Sequence, residues 1–350
     1  MIDLSLHRPE PLLRHHARPV DASTPPRVGA ERLRAGDSLL VTDRYTTGEQ
    51  ILAQLDFLMP PPPPGASYQV RHNHWRTHRD TSLRLLAPVR MNRLDLQDAR
   101  PIGLLDELYP DCPTFVLPFV QIQELHGAWN RYVEGVHLAV LGHKLHPYYG
   151  TYVPTRVTHL ELFGTWLSQY PGPRNRAIDV GTGCGVLALM LARAGFGRVL
   201  ATDISPNALE SVARDLRRLN PPPPVDLMCA DLLEEVKSPV DLIVFNPPWM
   251  RGEIEGHLDE ALFFQDPDLF RRFFEQSAAR LNPQGRVVVL FSNIMELVQP
   301  AEPHPILREL ERGQLRLIQK LHRRVKPTPG PNGELRKTRE RVEVWELGKV

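Results

Sequence analysis

In this chain of 350 residues, 42 lysines and arginines stand against 41 aspartates and glutamates, which argues against a surface built throughout for nucleic acid or anionic membrane. An apolar share of 42% is enough for a proper core, and the length suits two domains. Cys112, Cys184 and Cys229 are far apart and form no metal-spaced pair, Asp3, His7, Arg8 and Pro9 occupy the place of a secretion leader's apolar core, and no apolar run nears the ~20 residues of a membrane span, so a soluble, cytoplasmic protein is expected.

Residues 1–30, rich in Pro, Arg and His, show no sustained period and read as an irregular arm. Residues 31–145 read as a small α+β domain. It has a helix over Gly48–Met59, a stiff spacer at Pro60–Pro64, and strands at Ser82–Val89, Thr114–Ile122 and Gly135–Leu141. From residue 146 to 350 the pattern alternates. Strand Arg176–Val180 precedes helix Val186–Ala194, and strand Arg198–Thr202 precedes a helix that Ser205 caps and Pro206 opens. Strands Asp226–Cys229 and Asp241–Phe245 follow, then a helix opened by Asp266 and Pro267, with apolar positions from Leu269 to Leu281. Asn282–Gly285 turns into strand Arg286–Phe291, and Leu315–Val325 with Arg341–Leu347 form an antiparallel edge hairpin. Alternation of this kind predicts an α/β, doubly wound, Rossmann-like sheet.

Such a sheet binds ligands outside the carboxyl ends of its strands. Asp179-Val180-Gly181-Thr182-Gly183-Cys184-Gly185 follows the first strand, and Gly181, Gly183 and Gly185 lack the Cβ that would keep a cofactor away. Asp203, 20 residues after Gly183 and followed by Ile204, can accept both hydroxyls of a ribose. Asp231 ends the third strand, where its carboxylate can accept from an adenine amino group while Ala230 and Leu232 flank the ring. A dinucleotide turn takes the form Gly-x-Gly-x-x-Gly, whereas here an acidic residue, Asp179, leads. A carboxylate there would repel a diphosphate and suits S-adenosylmethionine (SAM), which carries a sulfonium and an ammonium.

Asn246-Pro247-Pro248-Trp249 follows the fourth strand. The prolines fix φ and donate nothing, so the Pro247 carbonyl and the Asn246 side-chain oxygen can together hold an NH2 group for in-line displacement. Trp249, beside Pro248, can stack on a planar acceptor. These motifs resemble the class I SAM-dependent N-methyltransferases with an Asn-Pro-Pro-aromatic motif, among them the release-factor glutamine methyltransferases and the nucleic-acid amino methyltransferases. The resemblance covers residues from about 145 to 350. It implies SAM as cofactor, S-adenosylhomocysteine as product, and Asn246, Pro247 and Trp249 as the residues at the chemistry. It also implies that the lead-in Gly150–Thr158, with Tyr152, Thr155 and Thr158, lines the pocket. Here Pro154-Thr155-Arg156-Val157-Thr158-His159 stands where the glutamine methyltransferases usually carry Pro-Arg-Pro-Glu-Thr-Glu, which turns the expectation away from a release-factor substrate.

The histidine-rich run Arg71–His78 suggests a polar or substrate-contact surface before it suggests a metal, since methyl transfer to amide or amine nitrogen needs none. Arg251–Leu262 reads as a lid whose Glu253, Glu255, His257 and Asp259 could relay a proton. Arg323, Arg324 and Lys326, with Arg336, Lys337, Arg339 and Arg341 beyond the loop Pro327–Gly333, form either a phosphate-contact patch or a solvated hairpin. The expected activity is N-methylation of a protein, peptide or small molecule, with residues 31–145 choosing the substrate. The alternatives are a nucleic-acid exocyclic-amine methyltransferase and a catalytically silent binding module.

Overall fold

The computed structural model describes residues 5–63, 65–154, 156–252, 262–325 and 339–350. The chain divides into two compact units, Arg8–Val133 and Met1–His7 with Glu134–Val350, so the division falls about a dozen residues before the expected one at 145.

In the first unit β1 (Arg18–Val20), β2 (Leu39–Val41) and β3 (Leu85–Arg90) run parallel, while β4 (Arg93–Leu94) and β5 (Thr114–Pro118) pair antiparallel with β3. The helices are α1 (Pro26–Ala35), α2 (Tyr45–Leu58), α3 (Tyr68–Ser82), α4 (Leu105–Leu108) and α5 (Phe119–Glu134). The arm expected over residues 1–30 thus contains β1 and the start of α1, a helix whose first position is Pro26 and which buries only Gly29, Ala30 and Leu33. The strand expected over Thr114–Ile122 breaks after Pro118. From Phe119 the buried residues Ile122, Leu125 and Ala128 follow at helical spacing, and burying them makes α5. Ser82 closes α3 rather than opening a strand, and of Gly135–Leu141 only Val136–Leu138 is extended.

The second unit begins with the hairpin β6 (Val136–Leu138) and β7 (His143–Leu145), then α6 (Thr158–Ser168). Its main sheet alternates β8 (Arg176–Val180), α7 (Val186–Arg193), β9 (Arg198–Asp203), α8 (Pro206–Arg218), β10 (Val225–Cys229) and β11 (Val240–Phe245). A short ribbon, β12 (Met250–Arg251) with β13 (Phe263–Phe264), precedes α9 (Leu269–Arg280), β14 (Leu281–Ser292), α10 (Ile294–Val298), α11 (Pro305–Glu311), β15 (Leu315–Arg324) and β16 (Arg341–Lys349). The strand order is β10-β9-β8-β11-β14-β16-β15. β8 to β11 and β14 are parallel, and every residue of β11 is buried, as a strand covered on both faces requires. Residues 282–285 loop out between the pairs Val240↔Leu281 and Leu242↔Arg286, so the expected turn is an irregularity inside β14.

The last two strands form the expected antiparallel edge hairpin. Within it β16 pairs with β14 and β15 lies at the edge of the sheet. Burial agrees: β16 is buried from Val342 to Gly348, whereas most of β15 is exposed.

Candidate active site

A cavity of about 490 Å³ opens at the carboxyl ends of β8, β9, β10 and β11, inside the ~300–1,000 Å³ usual for small-molecule sites. The switch in strand order between β8 and β11 makes that crevice. Of the residues singled out from the sequence, the cavity wall carries Tyr152, Gly181, Thr182, Gly183, Asp203, Ile204, Ala230, Asp231, Asn246 and Pro248. Asp179, Gly185, Thr158, Pro247 and Trp249 are not on it. Thr155 lies outside the described residues, as do Glu253, Glu255, His257 and Asp259 of the expected lid and Lys326, Arg336, Lys337 and the Pro327–Gly333 loop. Arg323 and Arg341 pair with Glu161 and Glu343, each at 3.4 Å.

The glycine turn is tied to Asp203. Gly183 N donates to Asp203 Oδ2 at 2.8 Å, and Ser205 N donates to Oδ1 at 2.9 Å. Gly183 has φ +53°, and a Cβ there would meet only the Tyr152 carbonyl at 3.8 Å, so its wall is open to a ligand. Gly185 has a different duty. It caps α7 at φ +80°, and a Cβ would come within 2.9 Å of Val212, so this glycine lets α7 and α8 pack closely.

Asp179 is fully buried beneath the turn. Its Oδ2 accepts from the Thr182 hydroxyl at 2.7 Å and from Ala188 N at 2.9 Å, and its Oδ1 has no partner among the described residues. Burial raises its carboxyl to about 7 from the ordinary 3.8, and these hydrogen bonds offset the shift only in part. The folded value exceeds the unfolded one, so the folded chain binds this proton more tightly. That stability is complete below about pH 4 and is lost as pH rises through about 7. The melting temperature of the ligand-free protein should therefore fall between pH 5 and pH 8, and Asp179→Asn should flatten the fall. A variant that melts with the wild-type pH dependence would assign the slope to other groups.

Arg272 of α9, absent from the sequence reading, completes the far wall. Its Nη1 donates to Asp231 Oδ2 at 2.7 Å and its Nη2 to Asp266 Oδ2 at 2.9 Å. Among the described residues of the wall, Asp203, Asp231 and Asp266 outnumber this one cation, which favours a positively charged ligand. An open glycine turn and a net acidic wall both fit SAM.

The lead-in Tyr148–Tyr152 is clamped by a polar stripe on α8. His146 N donates to Asp215 Oδ2 at 2.9 Å, Tyr148 N to Ser211 Oγ at 3.0 Å, and Asn207 Nδ2 to the Tyr149 carbonyl at 2.9 Å. Asn207 also binds both His7 N, at 2.7 Å, and the His7 carbonyl, at 2.9 Å. The signal was legible: Asn207, Ser211 and Asp215 repeat every four residues beside the apolar face of that helix. Asn207→Ala would orphan several buried groups and should lower stability by about 2–3 kcal/mol, or about 5–10 °C in Tm. An unchanged melt would show the clamp to be dispensable.

Trp249 does not line the cavity as the stacking role required. Its Nε1 donates to Asn246 Oδ1 at 3.2 Å and to the Leu290 carbonyl at 3.3 Å, and its ring meets His159 edge-on at 5.3 Å. Burial holds His159 neutral, down at about 4, and neither of its nitrogens has a partner among the described residues. Asn246 itself is on the wall.

Residues 162–302 match the family model of the methyltransferase small domain. Over 80 residues the chain is 42% identical to the ribosomal protein L11 methyltransferase of Pelotomaculum thermopropionicum, covering 23% of this chain and 26% of that one. Over 150 residues it is 28% identical to the ribosomal protein uL3 glutamine methyltransferase of Neisseria gonorrhoeae, covering 39% of this chain and 50% of that one. The chain thus spans a quarter to a half of the length of these curated relatives. The crystal structure of a ribosomal protein L11 methylase from Lactobacillus delbrueckii subsp. bulgaricus aligns at 20% identity and a TM-score of 0.39, over 57% of this chain and 81% of that one. The matched stretch includes the described cavity lining from Val180 to Arg272 and leaves out Gly150, Tyr152, Pro154 and Leu160. No helix among the described residues is long and apolar enough to cross a membrane, and no group of three or more His, Cys, Asp or Glu among them is placed to hold a metal.

Proposed function

We propose that this chain is a SAM-dependent N-methyltransferase that modifies an amide or amine nitrogen of a protein side chain. The observation that carries this reading is Asn246, which sits on the cavity wall with its side-chain oxygen fixed by the Trp249 N–H. SAM, when bound, supplies an electrophilic methyl on a sulfonium. Asp203 would accept the ribose hydroxyls, Asp231 the adenine amino group with Ala230 beside the ring, and the net acidic wall would oppose the positive charge. Gly181, Thr182, Gly183 and Ile204 would form the surrounding wall. An indole N–H can only donate, so the end of Asn246 that faces Trp249 is its oxygen, which keeps a second lone pair for an acceptor N–H. An N–H held there would leave the nitrogen lone pair aimed at the methyl, a geometry that needs about 3–3.5 Å between reacting atoms. Pro248 and Tyr152 would flank the substrate, and the Arg8–Val133 unit would choose it. The names of the relatives support a protein substrate, and the glutamine enzyme supports an amide.

The test is transfer of labelled methyl from SAM into cell extract separated into protein, nucleic-acid and small-molecule fractions. Label in protein, stable as an N-methyl amide or amine through isolation, is expected. Label confined to nucleic acid or small molecules would replace the substrate class, and no label would remove the activity.

A further inference from the structure

We propose that α1 and α3 of the Arg8–Val133 unit form a docking surface for single-stranded RNA. From Gln69 to Asp80 no side chain of α3 is buried. A helix that buries so little contributes little to the core, and its composition must answer to something else. One side of α3 is used for attachment. His74 Nε2 lies 3.2 Å from the Met59 carbonyl, and His78 Nε2 lies 2.8 Å from Asp56 Oδ1 at the end of α2. Three and four residues apart on another side stand His72, Trp75 and Arg79. The His72 ring is stacked with Trp75 at 6.4 Å and 29°, and the Arg79 guanidinium lies 5.6 Å from the Trp75 ring. Trp75 is nevertheless 46% exposed, a large aromatic surface left facing water on a polar helix.

Charge points to the partner. The Arg8–Val133 unit has fifteen arginines and no lysine against fourteen carboxylates, so it is close to neutral. Its α1 and α3, which pack together, hold Arg27, Arg32, Arg34, Arg71, Arg76 and Arg79 against only Glu31 and Asp80. The surplus of positive charge is therefore gathered on these two helices, one of which carries the exposed Trp75. Arginines that track a phosphate backbone, interleaved with an aromatic face for unpaired bases, are the chemistry of single-strand binding. Unpaired bases able to stack in this way are presented chiefly by RNA loops and ends.

The proposal is independent of the methyl-transfer reading, because none of these residues lines the cavity. It is tested with the full chain and a fluorescein-labelled twelve-nucleotide RNA of mixed, unstructured sequence, followed by anisotropy. Binding that weakens with salt is expected, with a slope of log K against log salt near about −2 if three phosphates are neutralised. Trp75→Ala should weaken binding at least ~fivefold through lost stacking. Arg71→Glu with Arg76→Glu should weaken it more and flatten the salt slope, while circular-dichroism melting of both variants stays at the wild-type temperature. The proposal is overturned if the wild type does not bind at 50 mM salt, or if Trp75→Ala binds as well as wild type. Equal affinity for the duplexed oligomer, or displacement by poly-glutamate at equal charge concentration, would overturn it too, the last in favour of an acidic protein segment.

Discussion

Asn246→Ala should lower turnover by about a hundredfold or more while leaving SAM affinity within about twofold. The side chain reaches the cavity wall from the end of β11, and the indole of Trp249 fixes which of its two amide ends faces the protein. The remaining lone pair is then set in one direction before the substrate arrives. Truncation removes that acceptor and leaves the substrate nitrogen without it. Trp249→Phe separates this role from packing, since it keeps a ring against His159 and loses only the N–H. Freed to turn its NH2 group toward the substrate, Asn246 would repel an N–H donor in part of the population. Turnover should drop by about tenfold, with KM for the methyl acceptor nearly unchanged. Single-turnover kinetics with SAM held saturating reads the chemical step directly. Wild-type rates in both variants would remove Asn246 from the mechanism, whereas a normal Trp249→Phe rate alongside a dead Asn246→Ala would confine the indole to packing.

For Asp203→Ala the expected result is the reverse, a loss in SAM binding of about 10–100-fold. The carboxylate now holds two backbone N–H groups, at Gly183 and Ser205, and so shapes both turns that flank the cavity. Each hydrogen bond to a charged group is worth about 1.5–3 kcal/mol when buried. Asp203 is only half-buried, which places the loss toward the lower end. Asp203→Asn is the informative companion. It retains an oxygen but presents an NH2 group to one of the two donors, and it should fall between wild type and alanine. Isothermal calorimetry of SAM and S-adenosylhomocysteine measures all three, and equal affinities would displace Asp203 from the cofactor site.

The second unit was legible in the sequence largely because its strands are short apolar runs closed by Gly, Pro or Asp. Arg176–Val180 and the helix beginning at Pro206 stand where spacing placed them. The position of β16 was not legible: adjacency in a hairpin says that β15 and β16 pair, and nothing local says which of them meets β14. The first unit was read less well, because its helices are polar. α1 hides behind arginines, and α3 has no apolar face to give it a period. In the site, strand ends located Asp203 and Asn246. Arg272 was missed because it reaches Asp231 from 41 residues away, a contact made by the fold and not by spacing. The role of Trp249 was missed for a related reason. An aromatic beside two prolines suggests a stacking surface, and only the position of the Leu290 carbonyl and Asn246 shows that its N–H is engaged.

The insertion of β16 between β14 and β15 also orders events during synthesis. β14 and β15 leave the ribosome first, and neither is the neighbour of the other. Until Arg341–Lys349 is made, β14 presents an unpaired, apolar edge and β15 has no strand to join. The nascent unit must therefore wait with a template for foreign strands exposed, the state in which partly made sheets aggregate. Closure requires a late strand to enter between two earlier elements, a long-range pairing that folds slowly. Expression at lower temperature or with a holdase chaperone should matter more for this protein than its near-balanced charge and modest hydropathy would suggest.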